Sequence, residues 1–168
     1  GKHGVKQVDR LLSNAKVSPW SLARWWIAML VGPRQEVLVA LDWTDFDRDD
    51  HTTLVASLIT NHGRATPMVW KTVKKSTLAE QRNGYEDELL SHLSDCLPEG
   101  VVATIVADRG FGDQKRYQKI VELGMHYAIR FRESILVADQ WGEQKPASQW
   151  LPASGRATML KNVGVTAD

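Results

Sequence analysis

Two nearly unbroken apolar runs, Val37-Leu38-Val39-Ala40-Leu41 and Val101 to Ala107, constrain this chain more than any other feature of it. Successive residues of a strand point to opposite faces, so a continuous run predicts a strand covered on both sides, and such strands occupy the middle of an α/β sheet. Each run is followed at once by an aspartate, Asp42 and Asp108. Between them lie two further strand-like segments, Thr53 to Thr60 and Thr66 to Val73, joined by Asn61-His62-Gly63-Arg64, a turn suited to antiparallel pairing. Pro67 suits an edge position. Leu89, Leu90, Leu93 and Leu97 then predict a helix that ends before Pro98 and Gly100 and carries the chain back across the sheet. Thr77 and Glu80 have the spacing of a capping box, and Asn83-Gly84 predicts a break before the better helix begins.

The flanks extend this pattern. Residues 1–35 are locally basic, with Lys2, Lys6, Arg10, Lys16, Arg24 and Arg34 opposed only by Asp9. Ser18 and Pro19 read as N-cap and first helical position, and Leu22, Trp25, Trp26, Met29 and Leu30 recur at helical spacing until Gly32 and Pro33. The tryptophans are expected to pack, not to stack on bases. An earlier helix over Val5 to Lys16 is expected from Val8, Leu11 and Leu12. Downstream, Asp113 caps a helix running to Leu123 with Gly124 as its terminator, and Tyr127, Ile129 and Phe131 alternate with Ala128, Arg130 and Arg132 as in a strand with one wetter face. Beyond Glu133, Ile135 to Ala138 and Thr158 to Leu160 read as weak strands around a polar loop containing Gly142, Pro146 and Pro152. Residues 162–168 carry no signal for a helix or closing strand. The expected organisation is therefore a basic helical segment over 1–35, an α/β core over 36–133, and the start of a β-rich insertion over 134–168.

Composition narrows the class. Of 168 residues 43% are hydrophobic, enough for a core, and 21 Lys plus Arg against 20 Asp plus Glu leave a net charge of +1, so any polyanion contact must rest on local charge. The single cysteine, Cys96, forms no internal disulfide or cysteine metal cluster, and no leader opens the chain, so the cytosol is the expected compartment. No apolar stretch reaches the length of a membrane span.

The chemistry is expected where the two inner strands end. Parallel neighbours about 4.8 Å apart would carry Asp42 and Asp108 side by side at their carboxyl ends, where open α/β sheets place ligands. Two such carboxylates repel unless a cation lies between them. Hard oxygen donors without a Cys or His cluster favour Mg²⁺ or Mn²⁺ over zinc, and the natural use of such a site is phosphoryl transfer between two ions about 3.5–4 Å apart. Asp45, Asp47, Asp49 and Asp50 offer alternative ligands but read first as a solvated turn. Arg109 has two open roles, contact with a phosphate or pairing with the acidic site. Lys74 and Lys75, with Lys71, are candidate contacts for a DNA backbone or a solvated strand end. Gly110-Phe111-Gly112 reads as a tight turn more than a phosphate cradle, because no Walker lysine follows.

Leu41-Asp42-Trp43-Thr44-Asp45 and Val106-Ala107-Asp108-Arg109-Gly110-Phe111-Gly112-Asp113 together resemble the first two acidic motifs of bacterial insertion-sequence transposases, closest to insertion-sequence family four and its relative, transposon-five transposase. The resemblance covers Glu36 to Arg132. It implies an RNase H-like core with a mixed five-stranded sheet and flanking helices, DNA strand cleavage and transfer by cut-and-paste, and two Mg²⁺ or Mn²⁺ ions held by an Asp-Asp-Glu triad. It also implies double-stranded DNA as partner, through terminal inverted repeats and a target, a homodimer in the synaptic complex, and a bacterial, nucleoid-associated location. In the family the third acid follows a β-rich insertion in a Tyr-x2-Arg-x3-Glu-x6-Lys pattern. Tyr127 and Arg130 begin that pattern, but Ser134 stands in the Glu position and Trp141 in the Lys position, so the third acid is expected beyond Asp168. Two other readings stand beside this one: a non-catalytic DNA-binding remnant using the basic N-terminal segment, and an RNase H-fold nuclease completing its site with Asp113 or Asp139.

Overall fold

The computed structural model describes residues 5–7, 10, 14, 16–61 and 63–166. The expected helix over Val5 to Lys16 falls largely outside them. Among the described residues, no helix is long and apolar enough to cross a membrane.

The elements follow in the order α1 (Pro19–Val31), β1 (Glu36–Phe46), β2 (His51–Ile59), β3 (Ala65–Lys74), α2 (Arg82–Cys96), β4 (Val102–Ala107), α3 (Gln114–Glu122) and β5 (His126–Ile129). The five strands form one sheet in the order β3-β2-β1-β4-β5. β1, β2 and β3 pair antiparallel as consecutive hairpins, whereas β4 runs parallel to β1, and β5 parallel to β4. The parallel pairings require crossovers, which α2 and α3 provide. This mixed sheet with flanking helices is consistent with an RNase H-like α/β fold. Further along the chain, β6 (Leu136–Ala138), β7 (Gln144–Pro146) and β8 (Gly164–Thr166) form a second sheet in the order β7-β6-β8.

One face of the large sheet makes the core. Val37, Val39 and Leu41 of β1 stand in register with Ala103, Ile105 and Ala107 of β4. On the other side of β1, Leu58 and Ala56 of β2 lie opposite Val39 and Leu41. Val39 therefore sits between Ile105 and Leu58, and Leu41 between Ala107 and Ala56. Leu89, Leu90 and Leu93 of α2 and Ile120 of α3 close over these residues, all four of them fully buried. Burying each such side chain contributes about 1.5–3 kcal/mol.

The opposite face is open, which corrects the expectation of inner strands covered on both sides. Leu38 is 50% exposed, and Ala40, Thr104 and Val106 beside it are only half-buried. The apolar run is therefore continuous although only its odd-numbered residues reach the core.

Several local expectations also change. α2 begins at Arg82 and runs through Asn83 and Gly84 without a break, because Glu86, Leu89, Leu90 and Leu93 supply a buried stripe from its first turns onward. Thr77 makes no capping box; its hydroxyl donates to the Lys74 carbonyl in a 3-10 turn. In α1, Ala23, Ile27 and Val31, spaced by four, form the buried stripe, while Trp25 is 83% exposed, contrary to the expectation that it packs. Trp20 and Trp26 lie along β3 and donate their indole N–H groups to the carbonyls of Trp70 and Pro67, each at 2.7 Å. Thr158 to Leu160 forms no strand, whereas Gly164–Thr166 does, pairing antiparallel with β6.

Candidate functional site

The parallel ladder of β1 and β4 ends at Leu41 opposite Ala107, which makes Asp42 and Asp108 the next residues of the two strands. Paired residues share a face, and Leu41 and Ala107 both point into the core, so the following residues turn to the open face. Asp108 keeps an extended backbone, at φ −80° and ψ 178°, and both aspartates are exposed. Asp42 does not end its strand as expected: β1 continues to Phe46 along β2, and Asp42 stands opposite Val55. β4 does end at Ala107, because the chain turns over Asp108, whose Oδ1 accepts the Gly110 N–H at 2.7 Å.

That bond fixes one Asp108 oxygen and leaves Oδ2 without a protein hydrogen bond among the described residues. Exposed carboxylates on neighbouring strands, one of them held by its turn, fit Mg²⁺ or Mn²⁺, which use one or two carboxylates together with water and substrate phosphate oxygens. Among the described residues there is no group of three or more His, Cys, Asp or Glu placed to hold a metal. Asp113 and Asp139 serve turns instead. Asp113 caps α3 by accepting the Lys115 N–H, and Asp139 accepts the N–H groups of Trp141 and Glu143.

The candidate DNA contacts separate. Arg109 is exposed in the 3-10 turn Arg109–Phe111 beside Asp108. Lys74 is exposed at the end of β3, opposite His51. Lys75 bridges Asp45 and Asp47, at 2.7 and 2.6 Å. Its hydrogen bond, followed by that of Thr52, holds the Asp45 carboxyl below the ordinary carboxylate range, and the two acids raise the lysine in return. Asp50, in a left-handed conformation at φ 50°, accepts both the backbone N–H and the hydroxyl of Ser76, and the hydroxyl bond lowers its carboxyl as well. Part of the acidic cluster therefore ties the turn between β1 and β2 to the residues that follow β3, and is not a second ligand set.

A buried ionic network lies under this rim, and the sequence reading missed it. Glu86, 2% exposed, accepts from Trp43 Nε1 at 2.8 Å, Arg82 Nε at 3.0 Å and Arg116 Nη2 at 2.6 Å. Arg116, 3% exposed, also pairs with Asp87. The network ties α2 to α3 and to the residue that follows Asp42. A signal was present: Glu86 falls on the same helical stripe as Leu89, Leu90 and Leu93, a position where a charge requires a partner.

No family model, curated protein or solved structure matches the chain.

Proposed function

We propose that this chain is part of a metal-dependent polynucleotidyl transferase, a DDE transposase of the bacterial insertion-sequence type, acting on double-stranded DNA. The observation that carries the reading is the register of β1 and β4, which makes Asp42 and Asp108 neighbours on the open face of the sheet. The fold supports it at the coarser level of an RNase H-like nuclease or transferase. Asp42 and Asp108 would hold Mg²⁺ or Mn²⁺, and the ions would activate the attacking oxygen and stabilise the leaving oxygen during in-line displacement at phosphorus. The third acid of the triad, the inverted-repeat DNA and the working dimer belong to the same proposal.

The test is Mn²⁺ binding to the chain, followed by electron paramagnetic resonance. Asp42→Asn and Asp108→Asn are each expected to weaken binding at least about ten-fold, since each removes a charged ligand. Binding that survives both substitutions overturns the reading. Metal-dependent cleavage of RNA–DNA hybrids in preference to duplex DNA would move the assignment to a nuclease.

A further inference from the structure

Arg82 opens α2 with its guanidinium held along one edge only. Its Nε donates to Glu86, whose carboxylate is fixed in turn by Trp43 and Arg116. The guanidinium carbon lies 5.7 Å from the Trp43 ring centroid and 5.8 Å from that of Phe111, so two aromatic rings further restrict it. Among the described residues its Nη atoms make no hydrogen bond or ion pair, and the side chain is 40% exposed.

Its free edge faces the Asp108 turn. A Cβ built on Gly110 would meet Asp108 Oδ1 at 3.0 Å and Arg82 Nη2 at 3.6 Å, so the carboxylate and the guanidinium flank the same spot. They do not form an ion pair. A fixed arginine with unused donors beside the Asp108 carboxylate is suited to a ligand that brings both a cation and an anion, since a metal would satisfy the acid and leave the guanidinium for a phosphate oxygen.

We propose that Arg82 is a substrate-binding residue whose Nη edge holds a non-bridging oxygen of the DNA phosphodiester backbone next to Asp108. This rests on the metal-dependent reading of that site. Glu86 is then a positioning residue, and lysine cannot replace Arg82, because it lacks a second edge with which to grip Glu86 and phosphate together.

The experiment measures binding of a short fluorescent DNA duplex by anisotropy in Ca²⁺ over a range of salt, with Mn²⁺ binding measured in parallel. Arg82→Gln is expected to weaken duplex binding about ten-fold and to reduce the slope of log affinity against log salt by about 1, with Mn²⁺ binding retained. Arg82→Lys should keep most of the salt slope and still lose affinity. Unchanged affinity and slope in Arg82→Gln, or no duplex binding by the unaltered chain, overturns the proposal. Mn²⁺ binding that ignores Asp42 and Asp108 overturns the metal reading instead, so the two failures are distinct.

Discussion

Replacing Glu86 by alanine tests the ionic network that supports the site. Arg116 is 3% exposed and would lose its contact with Glu86, keeping Asp87, whose side chain is 49% exposed, as its acidic partner. Among the described residues its Nε already has no hydrogen-bond partner, so the loss adds to a guanidinium that is incompletely satisfied in the intact network. Breaking a buried pair from one side costs about 3–5 kcal/mol, a large part of the roughly 5–15 kcal/mol by which domains are stable. For a chain of this size that corresponds to a Tm lower by about 6–20 °C. Urea unfolding should show a lower midpoint at unchanged m. The double variant Glu86→Leu with Arg116→Met should be more stable than the single, because it leaves no unpaired buried charge. A Glu86→Ala loss under about 1 kcal/mol, or strict additivity in the double variant, would refute the argument.

Two further outcomes concern titratable groups. Asp45 and Asp50 are held below the ordinary carboxylate value by hydrogen bonds, from Lys75 and Ser76 respectively, so their stabilising contribution is fully present above about pH 4 and is lost as pH falls through the lower folded values. Carboxyl NMR titration should find both depressed, with Lys75→Met returning Asp45 towards its ordinary value and leaving Asp50 low; an ordinary Asp45 in the unaltered protein contradicts this. Burial pushes the Cys96 thiol up, so alkylation at about pH 8 should be slow in the folded chain and accelerate in denaturant, and equal rates would contradict the burial of Cys96 at the end of α2.

The architecture was largely legible because its strongest signals are local. The apolar runs marked β1 and β4, Asn61 to Arg64 marked the hairpin between β2 and β3, and Asp113 with Gly124 bounded α3. The neighbouring positions of Asp42 and Asp108 followed from the same runs. Burial on one face was not legible, since Leu38 and Val39 are equally apolar and only packing separates them. The helical stripe of α1 was misjudged because Trp25 and Met29 share a period with Ala23 and Ile27, and hydrophobicity favours the larger side chains. Arg82, Glu86 and Arg116 are distant in the chain from the first aspartate motif, and only the crossover brings them under that rim.

The indoles of Trp20 and Trp26 occupy carbonyls that an outer strand would otherwise offer to a stranger's backbone. An uncovered margin of this kind is a template for intermolecular β-structure and fibril growth. By laying α1 along it, the chain shields an aggregation-prone border with its own aromatic side chains.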